Sequence, residues 1–423
     1  MTEPPERLPP TRLARRLGTT DAVVIGLGSM LGAGVFAAFG PAAAAAGSGL
    51  LVGLALAAAV AYCNATSSAQ LAAVHPEAGG TYVYGRQRLG AFWGHLAGWA
   101  FVVGKTASCA AMALTFGAYA APRWQRELAV AAVVATTAVN YRGIRKTAWV
   151  TRLLLAAVLA SLAAAVVATL GGGTASITNF EDVFGGDVLG VFRAGGILFF
   201  AFAGYARIAT LGEEVIDPAR TIPRAIPLAL GIATAIYAVV AVSALAAVGP
   251  GGLAASDAPL ATAARAGSLD WLSPAVRVGG TVAALGVLLS LLAGVSRTAF
   301  AMAADGELPR RLAAVHPRHR VPHRAELAVG ALIVAVVATA DLRGAIGFSS
   351  FAVLVYYAVA NAAAWTLPAE LRRWPRLLAG AGFAGCLALA FTLPATSVAA
   401  GMGVLGLGVA LRALRRRGSQ GAR

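Results

Sequence analysis

A glycine-rich stretch in the first long apolar run of the sequence is the feature best suited to binding a small charged molecule. Gly26, Gly28, Gly32 and Gly34 fall within nine positions. Because each glycine weakens a helix by about 1 kcal/mol relative to alanine, one interpretation is that a helix unwinds here. Unwinding exposes backbone N–H groups, which bind a carboxylate, and carbonyl groups, which bind an ammonium group or a cation. Close helix–helix packing through small residues is the alternative.

The chain around this stretch has the composition of a membrane protein. Of its 423 residues, 58% are hydrophobic and 12% are charged, against about 25% charged in a soluble domain. Its apolar runs approach the ~20 residues that a helix needs to cross a bilayer, where backbone polar groups must be satisfied within the helix. We therefore predict an all-α integral membrane protein with about twelve transmembrane helices, near residues 21–45, 49–74, 91–120, 125–141, 147–170, 190–212, 225–248, 275–304, 325–341, 344–366, 377–393 and 396–411.

The net charge of +16 would also fit a nucleic-acid-binding protein, but the basic residues lie between the apolar runs and not on one soluble face. With the N-terminus inside the cell, most of them fall in cytoplasmic connections, as the positive-inside rule requires. We predict a protein of the cytoplasmic membrane that contacts lipid, has both termini in the cytoplasm and binds no nucleic acid. Its predicted units are an N-terminal tail (1–20), a first five-helix repeat (21–170), a second five-helix repeat (190–366), two additional helices (377–411) and a basic tail (412–423).

Two basic side chains lie deep within apolar runs, Lys105 and Arg207, whereas all 18 acidic residues fall in connections or at helix ends. A charge at the centre of a membrane helix costs about 2.5–3.5 kcal/mol on insertion scales, so both are functional candidates. Because burial disfavours a charged amine, Lys105 is interpreted as either a proton carrier or a cation that contacts freed carbonyl groups. Alternatively, Lys105 snorkels to the membrane surface and Arg207 pairs with Glu213 or Glu214.

In the sixth apolar run, residues 199–205 combine a dense group of aromatic residues with one glycine, Gly204. On its own this is weak support for a second interrupted helix. If the first ten helices form two five-helix repeats, however, the first and sixth helices are counterparts. Interrupted helices at corresponding places in two repeats are typical of binding sites in secondary transporters.

Four stretches make the sequence resemble the amino acid–polyamine–organocation (APC) superfamily. They lie in order along most of the chain, at Gly28–Phe36, Pro76–Tyr84, Phe199–Pro223 and Ser296–Pro309. The resemblance implies the leucine-transporter-like fold, a 5+5 inverted repeat in which helices 1 and 6 are broken. It also implies a permease that moves amino acids by alternating access, as a symporter or an antiporter.

The resemblance also implies where a substrate binds. The backbone amides around Ala33 and Gly34 match the family's carboxylate site, and the carbonyls of Met30, Phe200 and Ala203 match its α-ammonium site. The ring of Phe200 matches an aromatic lid, with a lipid-facing or core position as the alternative. The predicted substrate-binding residues are Ser29, Met30, Gly32, Ala33, Gly34, Phe200, Ala203 and Gly204.

Two departures from the family's patterns bear on substrate and coupling. Ala206 stands where cationic amino acid transporters often have an acid, and Val158 stands where proton-coupled members often have a lysine. Without a deep acid, a cationic side chain would meet Lys105 and Arg207 unpaired, so we expect a neutral amino acid, or else an acidic one. Protons are one candidate coupling ion. Sodium is the alternative, with Ser290 and Ser296 as candidate ligands, although the eighth run otherwise lacks a paired hydroxyl. The alternatives are a polyamine or organic amine transporter, an amino acid exchanger, and a membrane sensor that does not transport.

The predicted helix ends also carry charges that suit a cytoplasmic gate of ion pairs, formed by Glu213, Glu214, Arg297 and Asp305. An ordinary cluster of interfacial charges is the alternative. In the connection between the seventh and eighth helices, the run Pro259–Ala266 predicts a short surface helix.

Enzymatic or metal chemistry has little support in the sequence. His316, His319 and His323 have a spacing that could suit a metal, but no acid or cysteine accompanies them. A membrane enzyme would need clustered His, Asp, Glu or Ser residues, and the three cysteines lack metal-ligand spacing. We expect no metal and no cofactor.

Overall fold

The computed structural model describes residues 17–75, 79–143, 148–211 and 214–420, which form helices and no strand of a sheet. In chain order the helices are α1 (Thr19–Met30), α2 (Ala33–Ala37), α3 (Phe39–Ala46), α4 (Leu50–Val74), α5 (Thr81–Arg88), α6 (Ala91–Ala120), α7 (Gln125–Tyr141), α8 (Ala148–Gly171), α9 (Val188–Phe202), α10 (Ala206–Ala209), α11 (Pro218–Ala254), α12 (Pro259–Arg265), α13 (Ser273–Ala304), α14 (His323–Thr339), α15 (Leu342–Trp365), α16 (Arg376–Thr392) and α17 (Ala395–Gln420).

Nine helical segments of the described residues are long and apolar enough to cross a membrane. Three further helices, α7, α14 and α16, have 17 residues each and lie at predicted spans. The chain is therefore an all-α, multi-pass membrane protein, while the count of twelve spans and the inverted repeat stay predictions.

Helix α6 lies in the interior of the bundle, where it packs against α13 and α15. Most of its side chains, and most of those of α15, are buried within the protein and not at its lipid-facing surface. A side chain in the middle of α6 therefore faces other helices. A charged group there must be stabilised by contacts with the protein and not by lipid head groups.

One end of the bundle, which we call the Leu17 face, collects the start of α1, the end of α13 and the connection that precedes α11. Leu17 donates its N–H to the carbonyl of Glu214 at 3.1 Å and accepts from Ile216 N–H at 2.9 Å. Gly80, just before α5, lies beside Thr210. This face holds the predicted gate residues that the structure describes.

Two predicted segments have features that the sequence did not indicate. Residues 412–420, which fall in the predicted basic tail, continue helix α17 to Gln420, and the guanidinium of Arg412 is buried in an ion pair with Glu307. The helix predicted over Pro259–Ala266 exists as α12, but it is not a surface helix. The side chains of Leu260 and Ala263 are fully buried against neighbouring helices. Packing inward removes these apolar side chains from water.

Candidate functional site: two interrupted helices and a buried lysine

The predicted interruption of the first helix is confirmed. Helix α1 ends at Met30, Leu31 and Gly32 leave the helical path, and α2 begins at Ala33. Gly32 has an extended conformation (φ −105°, ψ −151°) and donates its N–H to the carbonyl of Met30 at 2.8 Å. We call Leu31–Gly32 the first interruption.

The helix resumes in full after this point. Ala38, which separates α2 from α3, has right-handed helical angles, donates to the carbonyl of Gly34 at 2.9 Å and accepts from Ala42 at 3.1 Å. Residues 33–46 therefore act as one half-helix, and its first N–H groups, including those of Ala33 and Gly34, have no partner inside the helix.

The second interruption is tighter than expected. Helix α9 ends at Phe202, and Ala203–Tyr205 form a 3₁₀ turn before α10 begins at Ala206. Ala203 keeps right-handed angles (φ −63°, ψ −1°), so the chain changes helix type here and does not become extended. One glycine is not enough to unwind a segment whose other residues favour helical angles, but the change still disturbs the α-helical hydrogen bonds around Ala203.

The backbones at the two interruptions touch, and two glycines allow it. A Cβ on Gly204 would lie 2.3 Å from the carbonyl oxygen of Ser29, and a Cβ on Gly34 would lie 2.5 Å from Cα of Ala201. Both contacts are far too short for any side chain. The two interpretations of the glycine-rich stretch, interruption and close packing, therefore hold together.

Protein donors already occupy carbonyls at both interruptions. The hydroxyl of Tyr237 lies 2.6 Å from the Met30 carbonyl and 2.9 Å from that of Ala201, so its single proton is shared between the two helices. The hydroxyl of Tyr357 donates to the Ala203 carbonyl at 3.4 Å. Neither tyrosine was singled out from the sequence; both are polar groups in otherwise apolar helices, and that is the only sequence signal they give.

Lys105 is the most distinctive group at the site. It is the fifteenth of the 30 residues of α6, its side chain is 6% exposed, and its Nζ donates to the Ala203 carbonyl at 3.2 Å. No acidic side chain among the described residues forms an ion pair with it. Lys105 therefore does not snorkel; its ammonium group reaches a carbonyl of the second interruption.

The ring of Phe200 is buried within the protein, whereas the hydroxyl of Ser29 forms a hydrogen bond within its own helix. Phe200 is 6% exposed, so it does not face lipid, and it lies in the turn before the second interruption. The hydroxyl of Ser29 donates to the carbonyl of Ile25 at 2.9 Å, one turn back in α1. Ser29 thus contributes its backbone, and not its hydroxyl, to the contact between the two helices.

Comparisons with known proteins identify the family of this chain. The sequence profile described as "Amino acid permease" matches residues 17–410, which is nearly the whole chain. The chain belongs to the amino acid permease family.

Relatives of this permease span several organisms. An uncharacterised transporter of Mycobacterium tuberculosis is 64% identical over 407 residues, which cover 96% of this chain and 92% of the relative. The branched-chain amino acid permease of Bacillus subtilis is 25% identical over 82% of this chain and 80% of its own length. Human cationic amino acid transporter 4 is 29% identical over 82% of this chain and 59% of its own length.

Arg207 of the permease does not reach the substrate region. Its Nη1 lies 3.3 Å from the hydroxyl of Thr210, one turn further along. Glu214 and Arg297 are its charged neighbours on the Leu17 face, but the described residues show no ion pair between any two of these three. Glu213, the other proposed partner, lies outside the described residues.

The structure does not assemble the predicted gate as one group. Asp305 pairs with Arg86 of α5 at 2.6 Å and accepts a hydrogen bond from the Tyr82 hydroxyl at 2.5 Å. Burial and the bond to this carboxylate raise the pKa of the Tyr82 phenol, so it stays protonated as the donor. Asp305 therefore ties α13 to α5.

A buried cluster that the sequence did not reveal joins α17 to α6. Arg412 binds both carboxylate oxygens of Glu307 at 2.9 and 3.0 Å and donates to the Ala91 carbonyl at 2.7 Å. Nδ1 of His95 lies 2.9 Å from the same carboxylate. The members come from three distant parts of the permease, so no local spacing could have predicted it.

The three histidines that could have suited a metal surround a tyrosine instead. The rings of His316, His319 and His323 lie 5.3, 6.1 and 6.2 Å from that of Tyr141. Within the described residues, no group of three or more His, Cys, Asp or Glu side chains could hold a metal ion.

Two cavities of this conformation lie away from the interruptions. One of about 370 Å³ is lined by α8 and α13, including Ser161 and Gly279. The other, of about 390 Å³, lies at the end opposite the Leu17 face and is lined by charged residues that include Arg126 and Asp257. The interruptions themselves are closed against each other by the contacts of Gly34 and Gly204.

Proposed function

We propose that this permease moves a neutral amino acid across the cytoplasmic membrane by alternating access, with both termini in the cytoplasm. The observation that carries the proposal is the direct contact of two interrupted helices, at Gly34 and Gly204, with a buried ammonium group bound to a carbonyl beside them. Such a pair of interruptions offers backbone N–H groups to the carboxylate of a small zwitterion and backbone carbonyl groups to its ammonium group.

The substrate's carboxylate is proposed to bind at the start of the half-helix 33–46. The amides of Ala33 and Gly34 belong to its first turn, where N–H groups lack helical partners and the helix dipole favours an anion. Gly32, in its extended conformation just before this turn, has no side chain of its own, and Val287 packs where its Cβ would lie.

The substrate's ammonium group is proposed to bind the carbonyls of Met30, Phe200 and Ala203. Donors of the protein satisfy two of these in the closed conformation, Tyr237 at Met30 and Lys105 at Ala203. Since a buried carbonyl without a partner costs about 1–3 kcal/mol, these donors stabilise the empty site. A substrate must take over at least one of the bonds, which requires the two interruptions to separate.

A neutral side chain is favoured by the charges around the site. Lys105 is the charged group at the interruptions, and no described acidic residue pairs with it. The relatives' names include both a branched-chain amino acid permease and cationic amino acid transporters. A cationic side chain next to Lys105 would be repelled without a carboxylate to offset it, so the first substrate class fits this site better.

Counterflow in proteoliposomes tests the proposal. Purified protein is reconstituted with each unlabelled amino acid inside, and entry of the matching labelled amino acid is measured without an ion gradient. We expect exchange of neutral amino acids, together with thermal stabilisation of the detergent-solubilised protein by the same compounds. Strongest exchange with arginine, lysine or a polyamine would overturn the substrate class, and no exchange with any amino acid would overturn the transport function.

A further inference from the structure

Glu326 is a buried acidic side chain that the proposed mechanism does not yet use. It lies in the first turn of α14, is 3% exposed, and has fully buried Ala325 beside it and buried Val329 one turn later. Among the described residues, its Oε2 has no hydrogen-bond partner. A buried carboxyl group with an unsatisfied oxygen is costly to ionise.

The charges around Glu326 are few. Helix α14 packs against α6, α7, α13 and the turn Arg310–Ala313, and Arg297 of α13 is the charged group that acts on Glu326. No described ion pair joins the two, and the guanidinium of Arg297 is exposed. Within the described residues, none of the other titratable groups on these elements forms a hydrogen bond or ion pair with it, including Lys105, Cys109, Tyr141, Arg310 and Arg311.

The same turn of α14 carries a second unsatisfied titratable atom. His323, three residues before Glu326, has a buried Nδ1 without a hydrogen-bond partner in the described residues, and its ring packs on Tyr141 of α7 and on His316. Residues three apart on a helix share a face. An unpaired imidazole nitrogen and an unpaired carboxyl oxygen thus lie on one side of α14.

Burial decides which form of Glu326 this conformation accepts. An ionised carboxylate without a close partner in the protein interior costs several kcal/mol, whereas the neutral acid avoids that cost. The start of α14 offsets part of this through its dipole, which is typically 0.3–1 kcal/mol and therefore smaller. The conformation described here consequently favours the protonated side chain.

Helix α13 connects Glu326 to the substrate site. Val287 of α13 packs where a Cβ on Gly32 would lie, at the first interruption, and Arg297 lies ten residues further along, about 15 Å at 1.5 Å per residue. If α13 moves relative to α14 when the interruptions separate, the distance between Arg297 and Glu326 changes. A closer guanidinium, or water entering from the Leu17 face, would stabilise the ionised form.

We propose that Glu326 binds the proton that is coupled to transport. Its carboxylate takes up a proton from water when the bundle opens on one side, holds it as the neutral acid while α13 and α14 are packed as here, and returns it to water after α13 moves. The inference rests on the proposed transport function and adds the site at which its coupling ion is held.

The test compares two modes of transport in Glu326→Gln. Counterflow needs substrate binding and the conformational change but no proton gradient, whereas accumulation driven by an inward pH gradient needs the proton site. We expect Glu326→Gln to retain counterflow within about twofold and to lose at least about tenfold of gradient-driven accumulation. Glu326→Asp, which keeps the carboxyl group, should retain part of that accumulation.

Glu127→Gln is the matched control, because Glu127 lies in the first turn of α7, another 17-residue helix, with an exposed side chain. It should leave both modes unchanged. Infrared difference spectra between low and high pH provide a readout that does not depend on transport. The wild type should show the C=O band of a carboxylic acid that shifts in Glu326→Asp and is absent in Glu326→Gln.

The outcomes separate the two proposals. No counterflow by the wild type with any amino acid overturns the transport function. Wild-type counterflow combined with normal gradient-driven accumulation by Glu326→Gln overturns the role of Glu326 alone. So does loss of both modes in a variant that keeps its melting temperature, because Glu326 would then serve the conformational change and not the proton.

Discussion

Lys105 places an ammonium group in the interior of a membrane protein and binds it to a backbone carbonyl at 3.2 Å. Its position in α6 is readable from the sequence, because a lysine in an apolar run is conspicuous. Its partner is not, since the Ala203 carbonyl becomes available only through a change of helix type about a hundred residues later in the chain. The structure favours the interpretation of Lys105 as a fixed cation over that of a snorkelling side chain.

Substitutions of Lys105 are predicted to distinguish the effect of its charge from the effect of its volume. Lys105→Met fills similar volume but leaves the Ala203 carbonyl without a charged donor, and such hydrogen bonds contribute about 1.5–3 kcal/mol. We expect uptake to fall at least about tenfold, with no loss of melting temperature because a buried charge is removed. Lys105→Arg should retain part of the activity.

Initial rates of uptake across a pH series, for the wild type and both variants, check this. Wild-type rates and an unchanged pH profile in both variants would remove Lys105 from the transport mechanism.

At the scale of helices, the contact between the two interruptions is a backbone contact that only glycine permits at Gly34 and Gly204. The sequence predicts most helices to within a few residues because their apolar runs are long and their ends carry charges or prolines. It predicts the first interruption from four glycines. It does not predict that Ala203–Tyr205 form a 3₁₀ turn, because a single glycine among aromatic residues leaves several helix types with similar free energies.

Gly204→Ala is predicted to force the interruptions apart. The added methyl group would lie 2.3 Å from the carbonyl oxygen of Ser29, and overpacking of this kind typically costs about 1–3 kcal/mol. We expect a lower melting temperature and at least about a tenfold loss of counterflow. The matched control is Gly403→Ala in α17, where a Cβ would meet no atom within 4 Å.

Melting temperature and counterflow measured on both glycine variants decide the matter. Equal behaviour of the two would show that the close approach at Gly204 has no part in transport.

At the scale of the whole molecule, contacts between distant segments determine how the helix ends are arranged. Asp305 was expected in a gate of ion pairs with Glu213, Glu214 and Arg297 but pairs with Arg86, and Arg412 was expected in the basic tail but lies buried against Glu307. Both differences concern side chains more than 100 residues apart. Hydropathy and charge patterns place such residues at the correct end of the bundle, but they carry no information on which neighbour each one meets.

The buried cluster around Glu307 is predicted to hold α17 on the bundle. Arg412→Met removes the two-pronged ion pair with the carboxylate of Glu307. Breaking a buried pair in this way typically costs about 3–5 kcal/mol, so we expect a clear fall in melting temperature. Arg265→Met, at an exposed position at the end of α12, is the control.

Thermal unfolding of the two variants in detergent, followed by intrinsic fluorescence, checks this prediction. If Arg412→Met melts at the wild-type temperature, α17 is held by its apolar contacts alone.

The short backbone pairing between Leu17 and residues 214–216 joins the start of the first broken helix to the segment that follows the second. Because both bonds are formed by main-chain atoms, the substitution that would remove one directly is proline at a donor position, since proline has no N–H. In the proposed mechanism the two interrupted helices separate to admit the substrate. The pairing joins them at the Leu17 face, so opening on that side requires both segments to move together or the pairing to break. Cleaving the chain just before Leu17, or fusing a bulky domain there, would disturb this pairing without changing any residue of the proposed substrate site.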